Sequence, residues 1–191
     1  MARRRSKVTA ALLAGTLALG VLPFTPGEDV ASAVSRGSIL EVTRDPGYEA
    51  RYVTRMLEIL DEGIANRVNL DLALRARRTA KEYEALFDDF RLRQQALLLN
   101  LQEVGTPPRF VAFDERLRAA IVTQAAFYAA FVRAKIRDAS VEVDGMLDHP
   151  AFRASSLEFE AAREHVRRLK PALDRATEAA IADRLCWLDT I

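Results

Sequence analysis

The sequence predicts an all-α protein: an up-down-up-down antiparallel four-helix bundle with long helices, preceded by a signal peptide. Three observations predict it. Apolar residues recur at three- and four-residue steps over long stretches, the spacing that lines one face of an α-helix. Prolines and glycines gather at a few points between those stretches, where they punctuate the chain. No stretch alternates β-branched and polar residues as a half-buried strand would.

The N-terminus carries an address. Arg3, Arg4, Arg5 and Lys7 precede an apolar run of 15 residues from Val8 to Leu22, and Ala31-Ser32-Ala33 places small residues around a cleavage point. A spanning helix needs about 20 apolar residues to cross roughly 30 Å of hydrocarbon, so the run is short for an anchor. Pro23 and Pro26 then end it. Residues 1–33 therefore read as a secretory signal, with cleavage after Ala33 or, by way of Thr25-Pro26-Gly27, after Gly27. Lipid acylation would need a cysteine just beyond the run, and the one cysteine is Cys186. Ser6 and Lys7 stand where a twin-arginine signal carries an apolar residue. The address implies a periplasmic or secreted protein with no transmembrane span after signal cleavage.

The remainder is nearly neutral. Four of the 28 basic and two of the 27 acidic residues precede residue 34, leaving 24 basic against 25 acidic. Nucleic-acid binding wants a strongly basic face, so no nucleic-acid partner is expected. A chain of this length buries roughly two thirds of its unfolded surface in one core, without help from disulfides or metals. Residues 34–47 show no sustained period and read as a flexible lead-in to a single domain over 48–191.

Pro46-Gly47, Gly105-Thr106-Pro107-Pro108 and Asp148-His149-Pro150 mark the clear breaks. Helix 1 is expected over about 48–65, with the stripe Tyr52, Met56, Ile59, Leu60 and Ile64. Gly63, Asn66 and Asn69 suggest a turn, with Asn69 as the N-cap of helix 2 over about 70–103. Its stripe is Tyr83, Leu86, Phe87, Phe90, Gln94, Leu97, Leu101 and Val104. Helix 3 starts after the proline pair, whose fixed φ suits a helix entry. Its stripe is Phe113, Leu117, Ile121, Gln124, Phe127, Tyr128, Phe131 and Val132. Residues 140–152 read as a loop with one short turn. Helix 4 is expected over about 153–188, kinked but continuous at Pro171, because Val166, Leu169, Leu173, Ala176, Ala180 or Ile181, Leu185 and Leu188 stay in phase across it. Asp71 and Arg75, Asp89 and Arg93, Asp114 and Arg118, and Glu164 and Arg168 form acid-before-base pairs of a solvated face. Arg75, Arg77, Arg78 and Lys81 read as a solvated basic cluster.

Motifs for chemistry fail one by one. A carboxylate-bridged di-iron bundle needs Glu three residues before His, twice; Ala162 precedes His165 at that spacing and Met146 precedes His149. The acids Glu142, Asp144 and Asp148 around Gly145 do not follow the EF-hand pattern. No Gly-x-Ser-x-Gly elbow, Cys-x-x-Cys-His haem attachment or glycine-rich phosphate loop occurs. No cofactor, metal or enzymatic activity is expected.

Two features remain. Gln94 and Gln124 interrupt apolar stripes on neighbouring helices, with Tyr128 on the second. They are expected to hydrogen-bond each other or lie at the stripe edge; the alternative is a polar handle in a ligand pocket between helices 2 and 3. Cys186, flanked by Leu185, Trp187 and Leu188, is expected to be a small buried hydrophobe, the alternative being an intermolecular disulfide in a homodimer. These readings imply a non-enzymatic interaction module that meets another envelope or extracellular protein, or else a small-ligand carrier or sensor.

Overall fold

Thr79 opens the second helix of this chain and explains why the first is longer than its sequence suggests. Thr79 Oγ1 accepts from the Glu82 backbone N–H at 3.3 Å, and Glu82 Oε2 accepts from the Thr79 N–H at 2.8 Å. This capping box satisfies two donors that a helix start otherwise leaves unpaired. The computed structural model describes residues 47–169 and 173–189. Among them are five α-helices and no strand: α1 (Tyr48–Arg75), α2 (Ala80–Glu103), α3 (Val111–Arg137), α4 (Pro150–Arg168) and α5 (Arg175–Asp189), with short 3-10 turns at Pro108–Phe110 and Val143–Met146. The signal, its cleavage point and positions 34–46 of the lead-in lie outside the described residues.

Two boundaries differ from expectation. Helix α1 runs straight through Gly63, Asn66 and Asn69 and ends at Arg75, so the break falls at 76–79. Gly63 is there for packing, because a Cβ at that position would lie 3.3 Å from Leu188 Cδ1 and 3.5 Å from Leu97 Cδ1. The expected single fourth helix is two, α4 and α5, separated at 169–174. Pro171 itself lies outside the described residues, but a proline lacks an N–H and disfavours helix in the residue before it, and this outweighs the continuous apolar phase. Asp174 restarts the helix, its carboxylate accepting from the Thr177 N–H at 2.9 Å and the Thr177 hydroxyl at 2.8 Å.

At the other expected break, Gly105 takes the left-handed φ of +68°, which ends α2. Pro108 then starts the turn that leads into α3.

Each helix packs on the next in the chain, and α5 returns to α1. Side-chain contacts set the directions. Arg118 Nη1 donates to the Leu98 carbonyl at 3.0 Å while the Phe90 and Tyr128 rings lie 5.0 Å apart, so α2 and α3 are antiparallel. Arg116 reaches Glu158 at 3.0 Å and Ser155 reaches the Ala120 carbonyl at 3.4 Å, making α3 and α4 antiparallel. Helix α5 runs parallel to α1: Thr177 shares a cleft with Thr54, Arg184 grips Asp61 at 2.8 and 3.0 Å, and Leu188 abuts Gly63.

Among the described residues the apolar interior forms two clusters. The larger holds 19 buried residues, among them Tyr52, Leu60, Leu101, Phe113, Phe159 and Leu185. The smaller holds eight, among them Leu74, Phe90, Phe127 and Phe131. Each fully buried Leu, Ile or Phe contributes about 1.5–3 kcal/mol relative to exposure, so these clusters, rather than any cap, hold the helices together. Among the described residues one helix, Pro108–Arg137 with its leading turn, is long and apolar enough to cross a membrane; half of that apolar stretch is buried inside the fold, as suits a core helix.

Candidate functional site

Between the two apolar clusters lies a polar layer to which four helices each supply one buried residue: Arg67 from α1, Gln94 from α2, Gln124 from α3 and Ser155 from α4. On every one of these helices the larger cluster lies to one side of that residue and the smaller to the other. Gln124 Nε2 donates to the Leu188 carbonyl near the end of α5 at 2.7 Å. Neither polar atom of Gln94 has a hydrogen-bond partner among the described residues, nor do Gln124 Oε1 and Arg67 Nε. The two amides therefore do not pair with each other, contrary to expectation. The carbonyl of a fifth helix, which the sequence reading had fused into the fourth, takes one of them.

Tyr128 sits beside this layer and belongs to a network of its own. Its hydroxyl donates to Asp71 Oδ1 at 2.6 Å, and Arg67 Nη1 donates to Asp71 Oδ2 at 2.7 Å. Near the start of the same two helices the arrangement recurs with roles exchanged: Tyr52 of α1 reaches Asp114 of α3 at 3.5 Å, and Arg118 Nε donates to Asp114 at 2.6 Å. So α1 lends a tyrosine to an Asp–Arg pair on α3, and α3 returns one to an Asp–Arg pair on α1. Burial, reinforced by the neighbouring carboxylate charge, pushes both phenols well above the ordinary tyrosine range. Burial also raises Asp71, against the lowering effect of Tyr128 and Arg67.

The expected surface pairs at Asp71 and Asp114 thus differ from expectation. Asp114 is buried, and Asp71 pairs with Arg67 one turn before it instead of with Arg75. Asp89–Arg93 is on the surface as expected, at 2.9 Å. Glu164 takes Arg167 in place of Arg168.

Gln94, Gln124 and Tyr128 lie in the packed interior and line none of the clefts described below. One cleft of about 330 Å³ is bounded by Asp71, Leu74 and Arg75 of α1, Phe131 and Lys135 of α3, and Glu142, Val143 and Asp144 of the following loop. Lys135 is only 3% exposed. No sequence signal marked it, since a lysine in the last turn of a helix ordinarily complements the dipole from the surface. Other clefts lie along the α1–α2 seam and between α1 and the start of α5. Among the described residues, no three of His, Cys, Asp and Glu are grouped to hold a metal ion. His149 accepts from the Ala151 N–H at 3.2 Å, capping α4.

Helix α5 turns Ile181, Leu185 and Leu188 inward. Cys186 is consequently exposed, overturning its expected burial: a helix with one inward stripe cannot also bury the residue next to Leu185 on the opposite flank. Trp187 beside it is 63% exposed. No protein-family profile matches the chain, and no curated protein or solved structure is significantly similar to it.

Proposed function

We propose that this chain is an exported, non-enzymatic interaction module: an up-down-up-down bundle of α1 to α4, to which α5, antiparallel to α4, adds a fifth member, and that it meets another envelope or extracellular protein through the outer face of α5. Residues 1–33 are its signal peptide. The observation that carries the reading is Trp187, a large aromatic held outside on a helix that has already buried Ile181, Leu185 and Leu188. Tryptophan is enriched among the residues that dominate binding energy at interfaces, and exposure of one has no use within the bundle. Cys186 on the same outer surface allows a covalent link between chains under oxidising conditions.

The test is a photo-crosslinking residue in place of Trp187, expressed with the full chain in its native host. A discrete adduct in the envelope or culture medium is expected, together with loss of co-fractionation in Trp187→Glu. An adduct of twice the chain mass would identify the partner as a second copy. A full-length chain retaining its N-terminus in the cytosol, or Trp187→Glu co-fractionating unchanged, would sink the reading.

A further inference from the structure

We propose that the cleft over Lys135 is a binding site for a small carboxylate with an apolar tail, and that Glu142 stands in for the ligand's carboxylate in its absence. The ammonium is almost fully buried, yet its contacts are poor. It reaches the Ala139 carbonyl at 3.4 Å, Glu142 Oε1 at 3.8 Å and the Phe131 ring centroid at 5.7 Å. Three donors are available on a lysine head, and good charge-assisted hydrogen bonds run at about 2.7–2.9 Å. A buried cation so loosely held favours a closer anion strongly, because the low-dielectric surroundings magnify the attraction.

Glu142 is a replaceable partner. Its side chain is 70% exposed and stands on the loop after α3, so it can turn into water at little cost. The other charges at the cleft do not compete. Asp71 is already committed to Arg67 and Tyr128, while Arg75 and Asp144 lie exposed and oppose each other in sign. With Glu142 displaced, Lys135 is, among the described residues, a deeply buried charge with no carboxylate in direct contact; Asp138 acts on it only through space and already accepts both Ser140 bonds. Leu74, Phe131 and Val143 supply an apolar wall beside it. The volume of about 330 Å³ is at the small end of ligand pockets, which run from roughly 300 to 1,000 Å³, and so suits a short-chain or single-ring acid.

Hexanoate and its neutral counterpart hexanamide, titrated into the full chain by calorimetry and amide NMR, decide the matter. Hexanoate is expected to bind at least about tenfold more tightly than hexanamide, with the largest shifts at Phe131, Val143 and Lys135. Lys135→Met should erase that preference. Glu142→Gln, a near-isosteric change at an exposed side chain, should tighten hexanoate severalfold and leave hexanamide unchanged. Equal affinities for the two compounds, no saturation by hexanoate below about 10 mM, or no gain in Glu142→Gln would each overturn the proposal, and the last holds even if Lys135→Met fails to fold.

Discussion

Tyr128 and Gln94 are both buried, but only the first has a hydrogen-bond partner among the described residues. The Tyr128 hydroxyl makes a 2.6 Å bond to a half-buried carboxylate. Tyr128→Phe should cost about 1.5–3 kcal/mol in denaturant unfolding, the range for hydrogen bonds to charged groups, whereas Tyr52→Phe, with its longer contact, should cost less. Gln94 offers a buried amide with no protein partner on either atom. Gln94→Leu removes two desolvated polar groups and should stabilise the fold by about 1–3 kcal/mol. Gln124→Leu should gain little by comparison, because it leaves the Leu188 carbonyl without its donor. The sequence exposed both glutamines as interruptions of apolar stripes. It could not reveal their partners, since one partner is a backbone carbonyl more than 60 residues away. Lys135 was illegible because its burial depends on Val141, Val143 and Met146 of the following loop packing on the smaller cluster, which no helical spacing announces.

At the scale of elements, the stripes of α2 and α3 were readable because long amphipathic helices repeat their signal over many turns. The punctuation was less so. Gly63 resembled a turn residue, yet it serves the close approach of Leu188. The true break at 76–79 was announced by Thr79 and Glu82, whose three-residue spacing is a capping box. Similarly, Asp174 and Thr177 announced the restart of α5. The Asp174 carboxyl lies below the ordinary carboxylate range because it accepts the backbone and hydroxyl bonds of Thr177. A depressed folded value stabilises the fold above the unfolded pKa, and the benefit disappears as pH falls through the folded one. Wild type should therefore melt higher than Asp174→Ala at neutral pH, and the gap should close in strong acid. Asp71 acts in the opposite sense: its folded value is raised, so its contribution favours the fold at low pH and weakens as pH climbs through that raised value.

For the whole molecule, the polar layer divides an interior that a bundle of this size could have made continuous. Polar residues in helical cores cost stability and in some systems fix register. Here four helices meet at one level, so a slip of any helix by a turn would bring Arg67, Gln94, Gln124 or Ser155 against apolar side chains. The division also predicts uneven opening. Native-state hydrogen exchange should resolve two protection classes, the eight-residue cluster opening at lower free energy than the 19-residue one. In Gln94→Leu the two classes should draw together. A single class in the wild type would show that the layer does not separate the halves energetically.

The chain has one tryptophan, and it faces water. Indole emission reports the polarity around the ring, so global denaturation would pass almost unseen in the fluorescence spectrum of this protein. The same fluorophore would shift to shorter wavelength the moment another macromolecule covered α5, giving a built-in optical probe of association against a nearly silent background.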